Sequence, residues 1–456
     1  MAKRIRTQKM GIIKIYVGDL FLSTRFYLII VAIIIFFVTA FFLPALTQLP
    51  EIFLQIFLVL VLFDYLFLFF FSKTPTARRI ISERLSNGDE NKVELRIRNQ
   101  YFFPVKMEVI DELPEQLQFR DWKQIIHFKG KEQKKLTYSV RPTQRGEYNF
   151  GNTHLFVTSL LGLLIRRVTI EDHKTVTVYP SFIQLRKYDL LSGATIQSET
   201  GTKRLRKIGH SMEFEQIKGY VHGDDIRTLN WKASARNGGL MVNTFTDERS
   251  QQVYCIIDKG RLMKMPFNGL TLLDYAINST LVLSSICLKK QDRVGVITFS
   301  DKVGSELAAD KKAIQKENIL QLLYNQQTTF QESDFEMLYL QIRKRIKHRS
   351  LVVLFTNFES LSGLKRQLEY LRSIASHHLL LVVFFENTEL HKLTVRKANN
   401  IEQLYVKTIA EKFAYEKRLI VKELKKEGIL SILTSPQKLT VNTINKYLEL
   451  KSRQAI

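Results

Sequence analysis

The 456-residue sequence predicts three structural parts: an N-terminal hairpin of two transmembrane helices, an all-β domain, and a doubly wound α/β domain with a mostly parallel sheet. Three observations lead to this prediction. Two apolar runs lie near the N-terminus, short alternating strands follow them, and from residue 252 apolar strands alternate with helical segments. The expected parts are a basic N-terminus at 1–25, the hairpin at 26–72, the β domain at 73–185, a linker and distinctive polar segment at 186–251, and the α/β domain at 252–456.

The two apolar runs are long enough to cross a bilayer as helices. Residues 26–43 carry no charge, and a second run at 52–71 follows after a short connection, which predicts a helical hairpin and not a cleaved signal peptide. The second run contains Asp64, whose carboxylate is costly to bury in lipid. We therefore expect that Asp64 either contacts another membrane helix, for example at Gln55 of a neighbouring copy, or has no special role.

Basic residues flank the hairpin, whereas its short connection has Glu51 and no Lys or Arg. The flanking residues are Lys3, Arg4, Arg6, Lys9, Lys14 and Arg25 before the first run, and Lys73, Arg78 and Arg79 after the second. The positive-inside rule therefore predicts that both ends and all later domains lie in the cytoplasm. The two cysteines, Cys255 and Cys287, lie in apolar runs, which favours reduced packing residues and agrees with that location.

The β domain is predicted by segments such as KVELRIRN and KTVTVYP, which alternate apolar and polar residues between Gly- and Pro-containing turns. Their number and spacing suggest an immunoglobulin-like sandwich. In the α/β domain, VYCIID, VGVITFS, LVVLFTN and HLLLVVFF are typical of strands buried in a parallel sheet. Ligands of such sheets bind beyond the carboxyl ends of the strands, so the loops at 258–263 and 356–359 are candidate binding loops.

The segment GYVHGDDIRTLNWKASAR at 219–236 contains no nucleophile–base pair, metal-ligand spacing or phosphate-binding glycine loop. Two interpretations stay open. In the first, Asp225 caps a helix that Gly238 and Gly239 end, Ile226, Leu229 and Trp231 pack as a wedge between the β and α/β domains, and the Asp and Arg residues form internal ion pairs. In the second, polar and aromatic side chains face a partner, because Trp and Arg are frequent interface anchors. The candidate interaction residues here are Asp224, Asp225, Arg227, Trp231 and Arg236.

The same segment closely resembles the signature of the domain of unknown function 58 family, and RPTQRGEYNFG and VTVYPSF resemble further stretches of it. The resemblance implies a bacterial inner-membrane protein that joins a membrane hairpin, a β-sandwich and a von Willebrand factor A-like α/β domain. It also implies work with a MoxR-type AAA+ ATPase in the assembly or maturation of other proteins. The family's biochemical activity is poorly defined.

Von Willebrand A domains often bind Mg²⁺ through an Asp-x-Ser-x-Ser loop, a Thr and a later Asp. By this resemblance Asp258 matches the first position, and Thr328 or Thr329 are candidates for the hydroxyl. The other positions depart from the pattern: Gly260 and Leu262 replace the serines, and Asn357, beside Thr356, replaces the later aspartate.

We therefore expect a degenerate loop with no metal and no cofactor, in which Asp258 is a further candidate interaction residue. Two other interpretations stay open. In one, Lys259 replaces the metal electrostatically; in the other, Asp258 has a structural role, in which it caps a turn or pairs with Lys259 or Arg261.

The leading functional hypothesis is a membrane-anchored cytoplasmic adaptor that binds a protein partner, and the possible assembly into homo-oligomers stays open. The net charge of +24 suggests an alternative, a basic membrane-associated nucleic-acid-binding protein. The basic residues are spread through the chain without an aromatic-interleaved stripe, so attraction to anionic lipid is the simpler explanation. An enzyme built on His210, His222 and Asp224 lacks a paired nucleophile or metal set.

Overall fold

The computed structural model describes residues 18–42, 48–70, 73–119, 122–159, 161–181, 212–222, 224–247, 250–395, 398 and 400–453. The chain divides into two compact units, Met1–Tyr179 and Pro180–Ile456. The basic residues expected before residue 18, the basic run at 203–207 and His210 lie outside the described residues.

The first unit contains the two apolar helices, α1 at Thr24–Phe42 and α2 at Leu49–Phe69. Both are long and apolar enough to cross a membrane. Most of their side chains are exposed, with 6% of the apolar window of α1 and 22% of that of α2 buried, which differs from the buried core helix of a water-soluble domain. Pro50 lies in the first turn of α2, where its missing N–H has no helical partner to lose.

The first unit also contains a β domain. Its strands are β1 Leu20–Leu22, β2 Thr76–Ile80, β3 Arg84–Ser86, β4 Asn91–Arg98, β5 Val105–Asp111, β6 Lys123–Phe128, β7 Gln133–Val140, β8 Gly146–Phe150, β9 Thr153–Thr158, β10 Leu164–Ile170 and β11 Lys174–Tyr179. They form sheets in the orders β1-β10-β9-β5-β6, β3-β11-β8 and β2-β4-β7. Alternate residues such as Val93, Leu95 and Ile97 of β4 point into one core shared by all three sheets.

The N-terminal segment differs from its prediction as a basic tail. Strand β1 lies before the first apolar helix, and it pairs antiparallel with β10, with Leu20 opposite Arg166. Residues 20–22 therefore belong to the β domain, although most of that domain follows the second helix. Three apolar residues next to a basic stretch carry no alternation long enough to predict a strand.

Asp64 of α2 binds the β domain of the same chain. Its buried carboxylate accepts hydrogen bonds from the Ser159 hydroxyl and from the backbone N–H groups of Leu163 and Leu164, at 3.2 and 3.0 Å. One turn later, the Leu68 carbonyl accepts a hydrogen bond from the Tyr101 hydroxyl at 3.2 Å. The last turns of α2 are thus part of the β-domain core, and neither interpretation of Asp64 given above describes this role.

The second unit contains a hairpin of β12 Met212–Gly219 and β13 Met241–Asp247. The other strands are β14 Gln252–Asp258, β15 Pro266–Phe267, β16 Leu270–Thr271, β17 Arg293–Phe299, β18 Val303–Asp310, β19 Leu351–Phe355, β20 Leu379–Phe385 and β21 Leu430–Thr434. The helices are α3 Trp231–Asn237, α4 Leu272–Lys289, α5 Gln315–Tyr324, α6 Phe335–Arg345, α7 Leu361–His377, α8 Thr388–Val395, α9 Ile401–Lys426 and α10 Leu439–Ser452.

The main sheet of this unit has six strands in the order β18-β17-β14-β19-β20-β21. Strand β18 is antiparallel to β17, and the neighbouring pairs from β17 to β21 are parallel. Helices α4, α5 and α10 pack into the core on one face, whereas α6, α7 and α9 pack into the core on the other. Cys255 and Cys287 are free and buried in the first of these cores, and burial raises the pKa of the Cys255 thiol to about 12.

The strand order reverses at β14, because the chain continues to β17 on one side and later returns as β19 on the other. At such a reversal the loops after neighbouring strands separate and leave a crevice at the carboxyl edge of the sheet. Asp258 is the last residue of β14, and Thr356 follows β19 directly. The fold therefore brings these two predicted residues to one crevice.

Candidate functional site

The signature segment folds as the connection of the β12–β13 hairpin. Its local structure follows from its polar residues: the Asp225 carboxylate accepts a hydrogen bond from the Arg227 N–H at 3.0 Å, and the Asn230 side chain caps α3 by accepting one from the Ala233 N–H at 3.0 Å. Gly238 ends α3 at a φ of 68°, a left-handed conformation that glycine adopts readily. Asp225 thus caps only a short turn at Ile226–Thr228, and the helix that ends at the predicted glycine is capped by Asn230.

Asp224 also has contacts inside the hairpin. Its carboxylate accepts hydrogen bonds from the Lys218 ammonium at 2.8 Å and from the Val221 N–H at 3.1 Å, so it closes the turn at the end of β12. These contacts give both acidic candidates, Asp224 and Asp225, a structural role in holding the loop.

Four large apolar side chains of this connection are exposed within the second unit, whereas Leu229 is half-buried, and the wedge interpretation stays a prediction. Trp231 exposes 70% of its surface and Ile226 exposes 69%. We use the name signature face for this exposed set, which comprises Val221, Ile226, Arg227, Trp231, Arg236 and Leu240. Large exposed apolar side chains beside arginines on one short connection are typical of an interaction site.

A second candidate site lies at the crevice after β14. Asp258 is buried, and its carboxylate accepts hydrogen bonds from the Ser333 hydroxyl, from the Thr356 hydroxyl at 2.6 Å and from the Gly260 N–H at 2.8 Å. Burial raises the pKa of Asp258, and these three hydrogen bonds oppose that shift. Asp258 therefore caps its own turn and ties three loops together.

Ser333 is a contact of Asp258 that the sequence analysis missed. Thr329, predicted as a possible hydroxyl ligand, donates instead to the Lys259 carbonyl at 3.3 Å. Glycine at position 260 makes the Ser333 contact possible, because a Cβ there would lie 2.0 Å from the Ser333 hydroxyl oxygen. The replacement of serine by Gly260 is thus linked to a direct hydrogen bond between Ser333 and Asp258.

The basic residues of the loop do not pair with Asp258. The guanidinium of Arg261 lies 3.6 Å from the Glu332 carboxylate, and burial lowers the pKa of Lys259, which Asp301 opposes. Arg261 and Leu262 line a small cavity of about 120 Å³ together with Asp258 and Ser333. The proposed electrostatic replacement of a metal by Lys259 therefore has no supporting contact.

The residues present do not fit the magnesium site that the resemblance suggests. Both carboxylate oxygens of Asp258 accept hydrogen bonds from protein donors, and Gly260 and Leu262 supply no side-chain oxygen. Within the described ranges, no group of three or more His, Cys, Asp or Glu side chains is placed to hold a metal ion. The expectation that this loop works without a metal stays a prediction.

An ammonium group contacts Asn357, the residue that corresponds to the later aspartate. The side chain of Lys417, from α9, donates hydrogen bonds to the Asn357 side-chain oxygen at 2.7 Å and to the Phe358 carbonyl. Burial lowers the pKa of Lys417 to about 8, although the negative charge of Glu359 opposes the shift. An aspartate at position 357 would form an ion pair with this ammonium group. With asparagine at that position, the loop carries one negative charge fewer.

Lys417 borders a larger, mainly apolar cavity of about 510 Å³ at the same edge of the sheet. Phe267, Phe385 and Phe413 contribute aromatic walls. Asn357 and Glu359 line both this cavity and the smaller one beside Asp258. The carboxyl edge thus offers an apolar recess and a polar one that share two residues.

Comparisons with known proteins agree with the resemblance. A family model described as "Protein of unknown function DUF58" matches residues 216–419, a range that includes Trp231, Asp258, Asn357 and Lys417. The uncharacterized protein YeaD of Bacillus subtilis (strain 168) is 27% identical over 189 residues, which are 40% of this chain and 47% of that protein. The matched region thus spans about half the length of that relative. Both matches support similarity to the DUF58 family, and neither assigns an activity.

Solved structures with partial similarity have low TM-scores. The CARDB domain of PF1109 from Pyrococcus furiosus matches 23% of this chain and 93% of its own, with 16% identity and a TM-score of 0.16. The conserved hypothetical protein BatB from Bacteroides thetaiotaomicron matches 39% of this chain and 98% of its own, with 11% identity and a TM-score of 0.23. Scores of this size add nothing to the fold described above.

Proposed function

We propose that this protein is a membrane-anchored, cytoplasmic adaptor that binds a protein partner, and that its second unit is a von Willebrand factor A-like domain. The observation that carries the proposal is the signature face, on which Trp231 and Ile226 are exposed within the region that matches the DUF58 family. Exposing both side chains to water has a free-energy cost that binding to a partner would remove.

The proposed partner is a MoxR-type AAA+ ATPase, as the family resemblance implies, and the proposed process is the assembly or maturation of other proteins. The charge of the signature face supports a partner surface with both apolar and acidic parts, because Arg227 and Arg236 are interspersed with the apolar residues. We propose no catalytic role, because the Asp258 carboxylate is buried and its hydrogen bonds hold the neighbouring loops together.

The test is purification of the tagged full-length protein from its native membrane in mild detergent, with mass spectrometry of the proteins that co-elute. Trp231→Ala is compared with Phe119→Ala, which removes another exposed aromatic side chain from the β domain. We expect the AAA+ ATPase to co-elute with wild type and with Phe119→Ala, and its amount to fall at least tenfold with Trp231→Ala. Equal recovery with all three proteins would remove the signature face as the binding site.

The same purification tests the nucleic-acid alternative, for which the net charge of +24 is the only support. Nucleic acid that co-elutes at low salt and is lost as salt is raised would favour that function over the adaptor. Recovery of neither an ATPase nor nucleic acid would refute both proposed partners.

A further inference from the structure

A large cavity lies at the foot of the first apolar helix, in the first unit. It has a volume of about 760 Å³ and is lined by β1, the first turn of α1, the neighbouring strands and the loop between β9 and β10. Its basic lining residues are Arg25, Lys106 and His127, and its aromatic ones are Phe21, Phe128 and Phe156. We call this space the foot cavity.

The foot cavity lies where α1 emerges from the β domain. The Ser23 hydroxyl donates to the Gly162 carbonyl at 2.5 Å, and the Arg25 guanidinium donates to the Leu161 carbonyl at 3.4 Å. The same loop binds Asp64 of α2 through Leu163 and Leu164. Both apolar helices are therefore anchored beside the cavity, and the residues of α1 beyond Arg25 are apolar. If the helices span a membrane, this level is that of the lipid headgroups.

The charges around the foot cavity suit an anion. Arg25 and Lys106 are exposed, and neither forms an ion pair with a carboxylate in the part of the chain that the structure describes. Lys106 lies directly opposite His127 in the β5–β6 ladder, so these two donors share one side of the sheet. The carboxylate among the lining residues, Glu108, lies 3.7 Å from the Lys123 ammonium, which offsets part of its charge.

The walls of the foot cavity suit an apolar group attached to that anion. The rings of Phe21 and Phe156 meet edge to face at 5.8 Å between centroids, and Phe128 is buried in the β-domain core. A free inorganic anion would leave these aromatic surfaces unused, whereas the glycerol and upper acyl region of a phospholipid would cover them.

We propose that the foot cavity binds the headgroup of an anionic phospholipid, with its phosphate between Arg25 and Lys106 and its glycerol region against Phe21 and Phe156. The proposal rests on the membrane anchoring proposed above and goes beyond it, because it assigns a lipid preference to specific residues. Lysine and arginine near a bilayer surface attract anionic lipid electrostatically.

The test uses the full-length protein in mild detergent, supplied with equal amounts of phosphatidylglycerol and phosphatidylcholine, and native mass spectrometry of the bound lipid. We expect wild type to retain phosphatidylglycerol at least tenfold over phosphatidylcholine, and Lys106→Gln and Arg25→Gln/Lys106→Gln to lose the preference stepwise. Lys92→Gln is the matched control, because it removes an exposed lysine of the β domain that does not line the cavity. Each variant is first checked for a wild-type melting temperature, and Lys106→Gln alone decides if the double variant does not fold.

Equal lipid preference in wild type and Lys106→Gln, or no preference in wild type, would overturn the proposal. A thermal shift by millimolar inorganic phosphate that matches the shift by phosphatidylglycerol would also overturn it in favour of a soluble anion. Carbonate extraction of wild-type membranes separates this failure from failure of the membrane anchoring. Protein that stays in the membrane but shows no lipid preference would refute only lipid binding by the foot cavity. Protein that is extracted by carbonate would refute the membrane anchoring as well.

Discussion

Asp64 joins the second apolar helix to the β domain, so its replacement should loosen that junction. In Asp64→Ala the backbone N–H groups of Leu163 and Leu164 lose their buried acceptor, and the Ser159 hydroxyl loses its own. The hydroxyl can rotate toward another partner, but the two amides are fixed in the loop before β10.

The magnitude follows from those two amides. Leaving a buried donor without a partner costs roughly 1–3 kcal/mol, so the junction should lose about 2–6 kcal/mol in total. If local opening exposes each amide, a loss of about 2 kcal/mol per site accelerates hydrogen exchange by roughly 30-fold. Asp64→Asn keeps a side-chain oxygen as acceptor and should give a smaller acceleration.

The assay is hydrogen–deuterium exchange of the full-length protein in detergent, followed on a peptide that contains Leu163 and Leu164. Gln55→Ala is the control, because Gln55 is an exposed polar residue of the same helix. Unchanged exchange in Asp64→Ala, together with a shift to smaller oligomers that Gln55→Ala reproduces, would refute the junction and restore the earlier hypothesis of a contact between copies.

Three further predictions concern the second unit. Burial raises the Asp258 pKa, so above the ordinary aspartate pKa of about 3.9 the folded protein binds more protons than the unfolded chain, and wild type loses stability as pH rises through that window. In urea unfolding, the stability of Asp258→Asn should therefore increase relative to wild type from pH 4 to 7. A stability difference that stays constant with pH would contradict this. Gly260→Ser should lower the free energy of unfolding by about 1–3 kcal/mol, because its Cβ would meet the Ser333 hydroxyl. In the double variant, Ser333→Ala should recover part of this loss. Additive losses in the double variant would contradict the contact. Burial lowers the Lys417 pKa to about 8, so between about pH 8 and the ordinary lysine pKa of about 10.4 the unfolded chain binds more protons than the folded protein. The free energy of unfolding should therefore rise with pH in this range in wild type and not in Lys417→Met. An NMR titration that gives Lys417 a pKa near its ordinary value would refute this.

Much of the second unit could be predicted because its strands are unbroken apolar runs. Residues 351–355 and 379–385 are buried on both faces, and such runs have few alternatives to an interior strand. Helix α7 was not predicted, although Leu364, Leu371 and Ile374 repeat at helical spacing and are buried. Helix α9 begins at Ile401 because the Asn400 side chain caps it by accepting a hydrogen bond from the Gln403 N–H.

The site was predicted where local sequence determines it and missed where distant segments meet. Asp258 and Thr356 follow apolar strands, so the edge rule for parallel sheets located both. Ser333 meets Asp258 across 75 residues, and Lys417 meets Asn357 across 60. Lys417 is one of several lysines on a charged helix, and no local pattern distinguishes it. Burial of Trp231 was likewise undetermined, because a tryptophan in a polar segment fits a packed wedge and an exposed anchor equally well.

The pairing of β1 with β10 sets the order in which this protein can be completed. Leu20 precedes both apolar helices and Arg166 follows them, yet they are neighbours in one sheet. A chain that crossed the bilayer once would hold the two strands on opposite sides, so the ladder can close only after an even number of crossings. At synthesis rates of about 5–20 residues per second, β1 waits on the order of ten seconds for its partner. If the two helices span a bilayer, closure of this sheet therefore requires that both have been inserted.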